Sequence, residues 1–137
     1  MIPVDVNIIA VLIAAVAAMV VGFIWYSPSL FGNEWMKLAG IKMDEASKQE
    51  MPKMYFITFV LAVITAYVMA HVLSYSQAAT TTMGIQAGFW MWLGFAMPPM
   101  AAKMLFSKNK SMKLFFIDTG HTLATFIVIG AVLVMWG

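Results

Sequence analysis

The residues able to do chemistry in this sequence are few, and most of them interrupt otherwise apolar stretches. Asp118 and His121 stand one helical turn apart, so a helix would present both on one face. Thr122 and Thr125 follow them at four-residue spacing and extend that polar face. Pro98 and Pro99 break a neighbouring apolar run at a similar distance from the nearest lysines. Two adjacent prolines remove amide donors, kink a helix and free carbonyls in the preceding turn, here around Met91 to Phe95. A protonated Asp118 could donate to such a carbonyl, and an ionised one could meet Lys103. Asp118, His121, Thr122, Thr125, Lys103, Pro98 and Pro99 therefore form a candidate polar pathway. A second candidate is an outer pair in which Asp5 orients or charges His71.

Neither group reads as a metal centre or an active site. Asp118 and His121 supply two ligands only, and a helical rise puts His71 about a dozen ångströms away in depth. The chain has no cysteine, and its 14 methionines are scattered rather than convergent. No nucleophile elbow or phosphate-binding loop occurs. The expectation is a protein with no catalytic residues, no metal and no cofactor.

The elements that must position these residues follow from composition. Of 137 residues, 63% are hydrophobic and 10% charged, with a mean hydropathy of +0.89. Soluble domains carry about a quarter charged residues, and a small domain could not hide such an apolar excess. A soluble enzyme, a nucleic-acid-binding module and a disulfide scaffold are excluded, and the lipid bilayer is the expected partner. Apolar runs predict an all-α membrane protein, one four-helix transmembrane domain over residues 1–137. Its spans fall at about 8–26, 54–75, 84–106 and 112–136. No Lys or Arg precedes the first run, and Trp25-Tyr26-Ser27-Pro28 is a poor cleavage site, which argues against a signal peptide. The small polar residues from Ser74 to Gly84 predict a turn between the second and third spans.

The basic residues, all lysine, lie between the first and second spans or between the third and fourth. That asymmetry predicts a cytoplasmic location for both connections and an outside location for both termini. Within the first connection, Asn33 to Ala39 reads as a short interfacial helix ended by Gly40. Asp44 and Lys48 form a favourable i,i+4 pair there, and Pro52 suits a first helical position. Trp25, Tyr26, Pro28 and Trp35 are expected to anchor the chain at the headgroup level.

Small residues recur at helical spacing as Ala10, Ala14, Ala18 and Gly22 in the first span. Thr58, Ala62, Ala66, Ala70 and Ser74 repeat the device in the second, and Gly84 with Gly88 in the third. Gly120 and Ala124 give a shorter version. Such ladders let helix backbones approach closely in lipid, within one chain or between the chains of a homo-oligomer.

The run Gly22-Phe23-Ile24-Trp25-Tyr26-Ser27-Pro28-Ser29-Leu30-Phe31-Gly32-Asn33-Glu34-Trp35 resembles the opening signature of domain-of-unknown-function family 1761, small and mainly bacterial membrane proteins. Gly94-Phe95 and Asp118-Thr119-Gly120-His121 are similar to later parts of that pattern. The resemblance covers essentially the whole chain. It implies a compact four-helix domain of the bacterial inner membrane with unassigned activity, and it supplies no catalytic residues. Two roles remain open: an oligomeric channel or carrier for protons, ions or a small solute, and a scaffold or accessory subunit for another membrane protein.

Overall fold

The structure, a computed structural model, describes residues 4–41 and 45–137. Among these residues the chain is helical with no strand. Its elements are α1 (Ile8–Trp25), α2 (Gly32–Ala39), α3 (Glu45–Tyr75), α4 (Thr81–Met91), a π-helical turn (Trp92–Ala96), α5 (Met97–Leu105) and α6 (Met112–Trp136). Three helical segments are long and apolar enough to cross a membrane: α1, Lys48–Tyr75 of α3, and α6. In lipid every backbone amide needs an internal partner, and a helix provides one within its own segment.

The helix ends carry the expected chemistry. Asn7 Oδ1 accepts from the amides of Ile9 and Ala10 at 3.1 and 3.2 Å. Thr80 and Ser111 cap α4 and α6 through their hydroxyl oxygens. Thr80 also shortens the predicted Ser74–Gly84 turn, since its cap lets α4 begin at Thr81. Gly40, at φ 71°, closes α2 in the left-handed conformation that glycine tolerates best.

Prolines act differently at two places in the helices. Pro98 and Pro99 cannot donate to the carbonyls of Gly94 and Phe95, and a proline ring crowds the carbonyl a turn earlier. The helix widens there into the π turn, with the Met97 amide bonded to the Trp92 carbonyl. Pro52 does not start its helix, contrary to expectation: α3 begins upstream at Glu45 and runs through it. The surrounding residues Lys48 to Glu50 are exposed, so water can serve the carbonyl that Pro52 leaves without a donor. The expected Asp44–Lys48 pair lies partly outside the described residues.

Helix α6 is the axle, with α1, α2, α3, α4, the π turn and α5 all packed on it. The small-residue ladders are used inside the chain. Ala10, Ala14 and Ala18 of α1 are buried together with Ala66 of α3, Met91 of α4, and Ile129 of α6; Ala62 and Ala70 pack on the margin of that cluster. The tightest crossing joins α4 to α6. A Cβ on Gly84 would collide with the Gly130 carbonyl, one on Gly130 with the Gly84 carbonyl, and one on Gly88 with the Phe126 carbonyl. Outward, Phe56, Val68, Trp90, Phe95 and Phe116 are each more than half exposed, an apolar exterior suited to lipid and not to water.

Gly130→Ala is therefore expected to lower the unfolding free energy by about 1–3 kcal/mol, the usual range for overpacking. Gly94→Ala, whose Cβ would meet nothing within 4 Å, should stay within about 0.5 kcal/mol of the parent. Denaturation by SDS titration from mild detergent measures both.

Candidate functional site

The signature run builds the corner that organises the site. After α1 the Ser27 hydroxyl donates to the Ile24 carbonyl at 2.8 Å, and the amides of Leu30 and Gly32 donate back to the Ser27 carbonyl at 3.0 and 2.9 Å. Gly32 is required because a Cβ would run into the carbonyls of Tyr26 and Ser27. The corner sends α2 alongside the start of α6. There Lys113 Nζ meets Glu34 Oε1 at 3.0 Å, and Asn109 Nδ2 donates to the Leu38 carbonyl at 2.9 Å. The lysine's hydrogen bond, reinforced by its charge, holds the Glu34 carboxyl below the usual carboxylate range. This latch is consequently present at neutral pH and is lost as pH falls through that lowered value.

Trp25 and Tyr26, expected at the headgroup level, turn their polar atoms onto α6. Trp25 Nε1 donates to the Ile117 carbonyl at 2.9 Å, and the Tyr26 hydroxyl donates to Asp118 Oδ1 at 2.6 Å. An indole N–H or phenol in apolar surroundings needs such a partner. Gly120 makes the approach possible, since a Cβ there would lie 2.9 Å from the Trp25 ring. Gly120 therefore faces Trp25 rather than serving a helix ladder. Trp35 closes over Tyr26, with ring centroids 5.2 Å apart.

The Tyr26 contact settles which partner Asp118 has. It is neither Lys103 nor a carbonyl ahead of Pro98: among the described residues the salt bridge is Lys113–Glu34. The segment holding Pro98, Pro99 and Lys103 meets α6 elsewhere, through Trp92 Nε1 to the Thr119 carbonyl at 3.0 Å and Met100 Sδ beside the Thr122 hydroxyl at 3.5 Å.

His121, Thr122 and Thr125 line a cleft of about 640 Å³ between α1, α3 and α6. The His121 ring lies 4.9 Å from that of Tyr26, and its Nε2 is 3.4 Å from the Thr125 hydroxyl. Gly22 opposite leaves the imidazole room; its Cβ would stand 3.4 Å from Nε2. Pro28 borders the cleft mouth, and Thr58 and Thr65 face it from α3. Thr65 was not singled out from the sequence, although its seven-residue spacing from Thr58 repeats one helix face. Nothing in the sequence marks Tyr26 as the partner of Asp118.

At the opposite end, a second cavity of about 360 Å³ also borders α1, α3 and α6, lined by Asp5, Asn7, Ala70, Leu73 and Leu133 among others. Asn7 Nδ2 at its edge donates to the Trp136 carbonyl at 2.9 Å. Asp5 and His71 do not pair. His71 Nδ1 lies 2.9 Å from the Tyr67 carbonyl, and its ring sits between those of Tyr67 and Tyr75. Between the two cavities, Ala14, Ala66 and Ile129 are 0% exposed and Met69 is 3% exposed. Among the described residues no three His, Asp or Glu side chains converge as a metal set.

An all-helical bundle, with three helices long and apolar enough to cross a membrane, is the architecture of a small membrane protein. Its sequence matches the family described as "Protein of unknown function (DUF1761)" over residues 9–134, and the chain belongs to that family. No curated protein and no solved structure matches it.

The Tyr26–Asp118 bond can be weighed by a double-mutant cycle. Tyr26→Phe, which strands a part-buried carboxyl, is expected to cost about 1–3 kcal/mol. Asp118→Asn keeps an acceptor and should cost less, with a coupling energy above about 0.5 kcal/mol between the two. SDS-titration unfolding of the two single variants and the double variant gives the answer.

Proposed function

We propose that this protein is a four-span carrier of the bacterial inner membrane, with both termini outside, that moves a small solute along the α1–α3–α6 interface. The fourth span in this reading is the helical path from Thr81 to Leu105, which carries the π turn. The observation that supports transport is the pair of cavities at opposite ends of one three-helix interface, parted only by the layer of Ala14, Ala66, Met69 and Ile129. A closed layer with a cavity on either side suits alternating exposure better than an open channel. His121 is the ionisable group facing the larger cavity, and Asp118 stands one contact behind it, held by Tyr26.

The pathway lies within one chain. Because the ladders of α1, α3 and α4 pack internally, they no longer argue for a homo-oligomer. The scaffold role has no observation of its own, since lipid covers the exposed apolar faces equally well. Catalysis is not part of the proposal: the Thr125 hydroxyl donates to the His121 carbonyl at 2.8 Å, so its proton is not shared with the imidazole as an activated nucleophile would require.

The absence of cysteine makes single-cysteine variants clean reporters. With a membrane-impermeant thiol reagent, Thr125→Cys is expected to react from the lysine-bearing side and Ala70→Cys from the side of the termini. Ala66→Cys should react slowly from both. Labelling of Thr125→Cys and Ala70→Cys from the same face would end the carrier reading.

A further inference from the structure

The larger cleft has a chemical polarity that narrows what it can hold. Its hydroxyl protons are almost all committed within the protein. Thr58 donates to the Met54 carbonyl at 2.8 Å, Thr65 to Leu61 at 3.0 Å, Thr122 to Asp118 at 2.8 Å and Thr125 to His121 at 2.8 Å. The Tyr26 proton goes to Asp118. A hydroxyl whose proton is used in this way presents only lone pairs to a neighbour. Tyr55 and one nitrogen of His121 are the remaining donors, so the wall of the cleft is predominantly a hydrogen-bond acceptor.

Charge narrows the choice further. Among the described residues no lysine lines the cleft, and the acidic Asp118 sits directly behind Tyr26. A carboxylate, sulfonate or phosphate drawn into this space would lose its water and meet a cation only if the His121 imidazole took up a proton against these apolar walls, a burial of two charges that is rarely recovered. An uncharged head bearing O–H or N–H groups meets complementary acceptors instead.

Shape and access supply the rest. Tyr26, Ser27, Thr58 and His121 stand toward the lysine-bearing end, whereas Ala18, Leu61, Ala62 and Ile129 line the deeper part. The cleft reaches the surface at its lining residues Phe23, Tyr55 and Leu61, which are 51%, 42% and 57% exposed, and the rings of Phe23 and Tyr55 touch edge to face at 5.2 Å. That side faces the exterior that lipid would cover. The volume falls within the range of about 300–1,000 Å³ usual for small-molecule sites.

We infer that the α1–α3–α6 cleft takes an uncharged amphiphile from the bilayer, its hydroxyl or N–H head group held by Thr58 and His121 at the lysine-bearing end and its apolar tail lying deeper along Ala18, Leu61 and Ala62. The inference rests on the reading of this cleft as the solute's binding site, and it names the solute's class. Photolabelling tests it in nanodiscs with a long-chain alcohol carrying a mid-chain diazirine and with the matched long-chain sulfonate, which stays ionised. Peptide mapping is expected to find the alcohol on cleft-facing segments of α1, α3 and α6, competed by unlabelled alcohol and not by unlabelled sulfonate. Thr58→Val, nearly isosteric and lacking the hydroxyl acceptor, should weaken that competition by about tenfold. Equal or stronger labelling by the sulfonate, or no change in Thr58→Val, overturns the ligand class while leaving the two-sided cysteine reactivity of the pathway intact. If neither probe labels the cleft saturably, the cleft is not the binding site and both readings fall together.

Discussion

Lipid gives helices no hydrophobic reason to associate, so this bundle depends on how closely other backbones can approach α6. Gly84 and Gly130 bring α4 and α6 into backbone contact, and Gly88 continues the approach at Phe126. On the other side, the alanines of α1 lie flat against α3 and α6. Two indoles then hold α6 from different neighbours: Trp25 of α1 donates to the Ile117 carbonyl and Trp92 of the π turn to the Thr119 carbonyl. Each such bond takes a spare lone pair of a helix carbonyl and satisfies an N–H that lipid could not. Close packing and these few directed bonds replace the hydrophobic drive that a soluble core would supply.

The corner after α1 links that packing to the site. One short run turns the chain and aims α2 at α6, and it also delivers the Tyr26 hydroxyl to Asp118. The same aromatic ring lies against His121, so Asp118 and His121 of α6 share one neighbour in the corner after α1. Gly22 and Gly120 are the space-makers in this arrangement, one beside the imidazole and one beneath the Trp25 ring. The polar atoms are thereby gathered without a side-chain N or O being left buried and unbonded among the described residues, which matters more in apolar surroundings than in water. What remains available is the acceptor-rich wall of the cleft.

The prolines show how far local rules reach. Pro98 and Pro99 act on the turn just before them, and the π turn forms where their missing donors would have mattered. Pro52 follows the same rule with a different outcome, because its turn is exposed and water has access to the carbonyl left without a donor. Gly40 and Asn7 likewise act within a few residues of themselves. The ladders were legible as packing surfaces for the same reason, since helical spacing alone puts Ala10, Ala14 and Ala18 on one face.

Composition and periodicity thus determined by themselves an all-helical chain suited to lipid, the places of α1 and α6, and the rarity and spacing of its polar groups, but not the start of α3 at Glu45 or the division of the third apolar run by the π turn. These are properties of neighbours in sequence, and backbone geometry relates neighbours directly. Only the tertiary structure decided that Tyr26 and not Lys103 meets Asp118, that Gly84 finds Gly130 in the same chain, and that His71 bonds its own helix and leaves Asp5 alone. Such pairings depend on how helices rotate and cross. Those angles are set by the sum of many side-chain fits across helices distant in sequence, and no single spacing within one helix encodes them.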